Sequence, residues 1–584
     1  MSSKTLELYF SPEAIQLAYH RVQCWMDKTV KDHVGIKAFG SKLIDNCQRL
    51  SDKIISGNYT PQKAFKFYMP KPSKTLRTKT MLKVEDALVY QAIANRVAEL
   101  NQPKLAELDD FVFGSILSPD VVKGTSLLNE SEPKYFFYKH WKSFFYKFKE
   151  SVLHSIEEDK VNYKFETDIT GFFDCIPHFN LLTVLSQQFG VEDEILDLLS
   201  DALNIWSGTR DSMTPGVGIP QGTGPSFFFA NLILHQLDDK IIGAGYKYYR
   251  YMDDIHIYGY SESELIEALL IIDKYTKGNG LSINSKKTSI QKIEKGVEAD
   301  IVKKELRKIG KVSEMLDNAG NETIDVVLVS EKKASVDADS LETKVTRMSD
   351  QDQDFTFLPF LNKAIILKDE KEIKEFWLEK IAEVEEFLPK LFENPALDIA
   401  ELSLAKDVDD IDFISLGSTY TSSIRALREL NESIVPNTDL IKFWLFGYKT
   451  FFWRANNIGI TLSIYGKNTE VKEALMKMYQ DDFRPYEWVK YFIVMSLSFN
   501  QSFNDQELRQ VVFKWLKDEE SDLVKISLYR LLFRHSANRQ FLSALKKELQ
   551  KEESIELKLL ITDFNRSPMQ KHVDIVEFIN TIGL

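Results

Sequence analysis

Two aspartates stand side by side in the middle of Tyr248-Tyr249-Arg250-Tyr251-Met252-Asp253-Asp254-Ile255-His256-Ile257-Tyr258, and this stretch limits the possible folds more than any other. Its aromatic and β-branched residues read as two strands joined by a turn that carries Asp253 and Asp254. Adjacent carboxylates at a tight turn repel each other. The pair is tolerable when solvated and becomes useful when a divalent cation lies between it and a third carboxylate. The strand context favours that use over an ordinary acidic surface turn.

A third carboxylate is available. Phe165-Glu166-Thr167-Asp168-Ile169-Thr170-Gly171-Phe172-Phe173-Asp174 reads as a strand ending at Asp168, then a turn into a helix entered at Asp174. Two-metal phosphoryl chemistry needs hard oxygen ligands from separate segments, bridging cations roughly 4 Å apart. Asp168 with Asp253 and Asp254 supplies that set. Between them, Gly216-Val217-Gly218-Ile219-Pro220-Gln221-Gly222-Thr223-Gly224-Pro225-Ser226 makes a loop through which backbone can approach a ligand, followed by an apolar, buried helix over 227–237.

At 584 residues the chain predicts two to four domains. No apolar run reaches the length of a membrane span, and the N-terminus lacks a secretory layout. Cys24, Cys47 and Cys175 form neither a metal spacing nor an even disulfide set, so a reduced, zinc-free, cytoplasmic protein is expected. The net charge of −13 disfavours nucleic-acid binding over the whole surface. The acidity is uneven: residues 1–300 hold 35 basic and 39 acidic residues, and 301–584 hold 39 and 48. Residues 61–84 carry seven Lys or Arg and no acid, which makes them the candidate phosphate-binding surface.

Along the chain, residues 1–60 read as an N-terminal helical extension and 61–84 as a β-ribbon around Pro61, Pro70 and Pro72. A helix is expected over 84–100. Tyr138, Trp141, Phe144, Phe145, Phe148 and Val152 follow helical spacing as a core stripe. After about 300, amphipathic segments dominate (371–388, 421–430, 441–453, 471–478 and 506–516), as in a solenoid-like array of helix pairs. The polar stretch 332–354 reads as a linker or exposed insertion.

The order of these pieces resembles a reverse transcriptase over about residues 60–290. Met69-Pro70-Lys71-Pro72, Thr75-Leu76-Arg77 and the helix over 87–96 are similar to the fingers. Asp168 to Asp174 matches the first palm motif, Ile219-Pro220-Gln221-Gly222 the second, and Tyr251-Met252-Asp253-Asp254 the catalytic turn. Leu281-Ser282-Ile283-Asn284-Ser285-Lys286-Lys287-Thr288 matches the element that follows. The fold implied is an α+β right-hand polymerase with fingers and palm at 61–300, a thumb-like or linker region at 301–355, and an all-α, helical-repeat-like C-terminal domain at 356–584. By the same resemblance Asp168, Asp253 and Asp254, with the Ile169 carbonyl, bind two Mg²⁺, for which Mn²⁺ can substitute. Lys71 and Arg77 neutralise the incoming triphosphate. Phe173 excludes a ribose 2′-hydroxyl and so selects dNTPs, although core packing is its alternative reading. Gln221 and Gly222 lie against the nucleotide and primer terminus, Tyr251 and Met252 pack beneath the primer end, and Lys287 donates a proton to pyrophosphate.

A palm joined to a long helical region, without a zinc module, His-Asn-His endonuclease or RNase H carboxylate set, looks like the bacterial abortive-infection (AbiA- and AbiK-like) and unknown-group reverse transcriptases. That likeness implies antiphage defence by DNA synthesis in a homo-oligomer, with DNA that is untemplated and covalently attached to a protein hydroxyl. The alternatives are a reverse transcriptase copying an associated non-coding RNA, or a palm scaffold with an RNA-binding C-terminal effector. Arg530 and His535 have the Arg-x4-His spacing of HEPN ribonucleases, but Leu531 stands where that family places a polar residue, and a surface helix face is the favoured reading.

Overall fold

The computed structural model of the chain describes residues 4–25, 33–139, 141–208, 215–303, 305–306, 370–406, 408–430, 432–500, 505–535, 539–552 and 557. The linker expected at 332–354, and most of the 301–355 region, lie outside the described residues. Two compact units emerge, one drawn from Met1–Lys66 and Lys79–Asn318, the other from Phe67–Thr78 and Ala319–Leu584.

The first unit mixes helices and strands. Helices Lys4–Phe10, Pro12–Trp25, His33–Gly40 and Leu43–Ile55 precede helix Val84–Ala106. That last helix is buried on every face from Ala87 to Asn95, so it serves as a central post with no single apolar stripe. Strands β3 (Tyr163–Thr167), β4 (Lys247–Tyr251), β5 (Asp254–Gly259) and β6 (Ser289–Lys292) form an antiparallel sheet in the order β4-β5-β3-β6. Side chains alternate across it. Phe165, Ile255 and Ile257 are fully buried in the main core, which also takes helices Gly224–Gly243 and Glu262–Gly278. Tyr258 belongs to the opposite face and packs with Phe113, Phe148, Val152 and Ile156. The aromatic stripe on helix Trp141–Glu157 thus supplies core through Phe148 and Val152, as expected.

The chain leaves this unit at Lys66 and returns at Lys79. Strands β1 (Phe65–Pro70) and β2 (Leu76–Met81) form the basic ribbon expected there. Its tip closes with the Lys71 N–H donating to the Thr75 carbonyl at 2.8 Å and Lys74 at φ 65°.

The second unit is largely helical. Helix Glu370–Lys390 packs on Asp410–Glu429, that on Ala455–Ser463, that on Glu487–Ser498, and that on Asp522–His535. Helix Glu487–Ser498 is buried along its whole length. Among the described residues, no helix is long and apolar enough to cross a membrane.

Candidate active site

Strand register brings the carboxylates together. β3 and β5 run antiparallel with Glu166 opposite His256 and Thr167 opposite Ile255. Asp168 and Asp254 are the next residues of the two segments, and both carboxylates act electrostatically on Asp253. Asp253 occupies the two-residue turn between β4 and β5, where Tyr251 pairs with Asp254. Residues 282–288 run along the other side of Asp168. The Asn284 N–H donates to the Asp168 carbonyl at 2.8 Å, Thr170 donates to Ser282 at 2.8 Å, and Ile169 bridges to Ile283. This places the Lys287 ammonium on Asp168 Oδ2.

Electrostatics tie the four groups together. Burial raises the Asp253 carboxyl above the usual carboxylate range, and the charges of Asp168 and Asp254 add to the rise. The hydrogen bond to Asp168 raises the Lys287 ammonium, so it stays charged. Asp168 Oδ1 is buried and has no hydrogen-bond partner among the described residues. Among the described residues, no group of three or more His, Cys, Asp or Glu is already arranged as a metal cage. The donor set is nonetheless one that fits a hard divalent cation: three carboxylates repelling one another, one oxygen orphaned and another held by an ammonium.

The support beneath the turn escaped the sequence reading. Met252 sits at φ 57°, on the left-handed side at the first position of a two-residue hairpin turn. Arg250, fully buried, donates from Nη1 to the Met252 carbonyl at 2.7 Å and to Asn231 Oδ1 at 2.9 Å. It also forms a bidentate pair with Asp238, Nε to Oδ1 at 2.8 Å and Nη2 to Oδ2 at 2.6 Å, and the Tyr248 hydroxyl donates to the same carboxylate. Burial alone would lower the guanidinium pKa, but Asp238 more than reverses it. Asn231 Nδ2 continues the network to the Gly114 carbonyl at 2.7 Å. Gly114 lies so close that a Cβ there would be 2.6 Å from the Met252 nitrogen. The signal available in sequence was parity: Arg250 falls on the same face of β4 as Tyr248, the buried one.

His256 was also passed over. Its Nε2 lies 3.1 Å from Asp254 Oδ2 and its Nδ1 3.4 Å from Glu166 Oε1. Burial would lower the imidazole pKa, yet the two carboxylates bring it up to about 9.

The glycine-rich loop docks against the first motif. The Ile219 N–H donates to the Phe173 carbonyl and the Gly218 N–H to the Ile176 carbonyl, both at 2.8 Å. Gly218 at φ 90° lies against the Asp174 carbonyl, and Gly222 holds φ 107°. The Gln221 carbonyl accepts from the Thr80 N–H at 2.9 Å, while its buried Oε1 has no hydrogen-bond partner among the described residues. The Phe173 ring is 7% exposed and meets Phe227 and Phe172 edge-on, so its packing alternative accounts for most of its surface.

Lys71 and Arg77 stand on the β1–β2 tip within the second unit, Lys71 half-buried and Arg77 exposed. Arg530, on helix Asp522–His535, donates to the Tyr491 hydroxyl at 3.4 Å. The His535 side chain lies outside the described residues.

Residues 69–320 match the family described as reverse transcriptase (RNA-dependent DNA polymerase). The chain therefore carries a reverse-transcriptase-like domain, followed by a largely helical region. No curated protein matches. Among solved structures, apo telomerase from Candida tropicalis aligns at 11% identity over 78% of this chain and 77% of that one. Its TM-score of 0.29 is too low for the likeness to bear on fold or function.

Proposed function

We propose that this chain is a nucleotidyltransferase of reverse-transcriptase type that extends DNA by adding dNMPs from dNTPs with two Mg²⁺. The observation that supports this reading is the β3–β5 register, Thr167 opposite Ile255, with Asp168 and Asp254 the next residues of the two segments and Asp253 in the adjoining turn, within a domain similar to reverse transcriptases. In the reaction, the primer hydroxyl oxygen bonds to the α-phosphorus, the α–β phosphoanhydride breaks, the hydroxyl proton is released and pyrophosphate leaves. Bound by Asp168, Asp253, Asp254 and the Ile169 carbonyl, Mg²⁺ or Mn²⁺ would activate the hydroxyl and stabilise the leaving group. Lys287, kept protonated against Asp168, is the proton donor to pyrophosphate. Lys71 and Arg77 take the triphosphate, Gln221 and Gly222 the nucleotide, and Phe173 bars the ribose 2′-hydroxyl.

Purified full-length protein given labelled dNTPs and Mg²⁺ should incorporate label, and Asp253→Ala should reduce incorporation by about a thousandfold. A wild-type preparation that incorporates nothing with DNA, RNA or no template, in Mg²⁺ or Mn²⁺, overturns the proposal.

The finer reading is a homo-oligomeric antiphage enzyme of the abortive-infection kind, and it rests on the resemblance alone. It predicts label that stays with denatured protein and is freed by protease. Recovery of a defined co-purifying RNA as template would replace it with RNA-templated copying.

A further inference from the structure

The tip of the β1–β2 ribbon is held by a helix more than 400 residues away in sequence. Phe67 is fully buried and stacks on Trp488 with ring centroids 5.5 Å apart and planes 7° from parallel. Beside it, the Tyr68 N–H donates to Glu487 Oε1 at 2.7 Å. The other oxygen of Glu487 accepts from the Ser521 hydroxyl, at the start of helix Asp522–His535. Glu519, two residues earlier, takes the Lys490 ammonium, the Tyr479 hydroxyl at 2.9 Å and the Ser521 N–H at 3.1 Å. Glu487 is thus fixed from behind before it reaches the ribbon.

A two-stranded ribbon alone is marginally stable in water. A strand at its edge presents unpaired N–H groups, and here one of them is met by a buried carboxylate, a charge-assisted bond of the stronger kind. The same few residues carry Lys71 and Arg77.

From this we infer that Glu487 and Trp488 are positioning residues for the nucleotide. They mount the ribbon tip on the helical unit, so triphosphate binding by Lys71 and Arg77 depends on that unit. The inference rests on the triphosphate role given to these two residues under Proposed function. Neither Glu487 nor Trp488 touches a reacting atom. Their effect is to remove the ordering cost that a free ribbon would meet on binding.

The test uses full-length protein with E487A, E487Q and W488L, each checked for wild-type-like circular dichroism. Glutamine keeps both partners, its carbonyl accepting from Tyr68 and its amide donating to Ser521. Brief trypsin treatment should cut E487A and W488L after Lys74 or Arg77 at least fivefold faster than wild type, with E487Q near wild type. The KM for dNTP should rise at least fivefold in E487A and W488L while kcat changes less than twofold, and E487Q should restore KM. Cutting at the wild-type rate in E487A and W488L overturns the mount. Faster cutting with an unchanged KM overturns its link to the nucleotide. A wild type that incorporates no dNTP overturns the polymerase reading, whereas the trypsin comparison judges the mount without any activity.

Discussion

Arg250 joins the aspartate turn to the core through a single side chain. Replacing it with methionine leaves Asp238 buried without its partner, a loss of about 3–5 kcal/mol. Arg250→Met should therefore lower the denaturant midpoint strongly. Adding Asp238→Leu should recover much of that stability. It should not recover nucleotide incorporation, because the Met252 carbonyl still lacks its donor. Gly114 acts on the same turn from the other side. Gly114→Ala brings a methyl against the Met252 nitrogen, and incorporation should fall at least tenfold with a smaller change in unfolding midpoint. Asp86 governs stability instead. Burial pushes its carboxyl up to about 6 despite hydrogen bonds from Tyr59, Gln62 and Trp206. The folded protein therefore keeps this proton at a pH where the unfolded chain has released it. Its contribution is fully present below pH 3.8 and is lost as pH rises through 6, a change of about 3 kcal/mol. Unfolding curves for Asp86→Asn should lack that slope, with the Tyr59 hydroxyl turned to accept from the new amide. The aspartate turn was legible in sequence because strand residues flank it on both sides. Arg250 was not, since a charge between tyrosines looks solvated until its partner 12 residues earlier is seen to be buried too.

At the scale of elements, the strands around the site follow from period-two patterning, and β3, β4 and β5 fall where the sequence places them. Their mutual register does not follow from pattern, since β3 and β5 are separated by three helices, the glycine loop, a fourth long helix and β4. In the helical region, the segments expected at 371–388, 441–453, 471–478 and 506–516 are helices with ends close to those expected, and one segment is much longer than expected. The segment expected at 421–430 is the end of helix Asp410–Glu429. Gly417 and the Ser/Thr run beside it look like breakers, yet they let the helix approach its neighbour, with a Cβ at 417 only 2.8 Å from Thr461 Oγ1. Its capping residue, Asp409, accepts from the Asp412 N–H at 2.8 Å. Gly447 gives the same kind of close approach to the buried Phe413 ring, 2.1 Å from a built Cβ. Gly447→Ala should therefore destabilise the helical unit by about 1–3 kcal/mol, read as a lower urea midpoint in far-ultraviolet circular dichroism.

For the whole molecule, the covalent path matters as much as the packing. Sequence identified the basic ribbon as part of the fingers by resemblance, and nothing local to it signals that residues 67–78 cluster with the C-terminal helices. The Tyr68–Glu487 bond spans 419 positions of chain. A ribosome adding about 5–20 residues per second needs roughly 20–80 s to cover that span. During this interval the nascent ribbon has no tryptophan to lie on, and the apolar side of Phe67 is open to chaperones. Chains stalled near residue 480 should exchange the Tyr68 amide freely in deuterium, whereas finished chains protect it. A first unit assembled early would in this way wait for these ribbon contacts until residues 487 and 488 have been made.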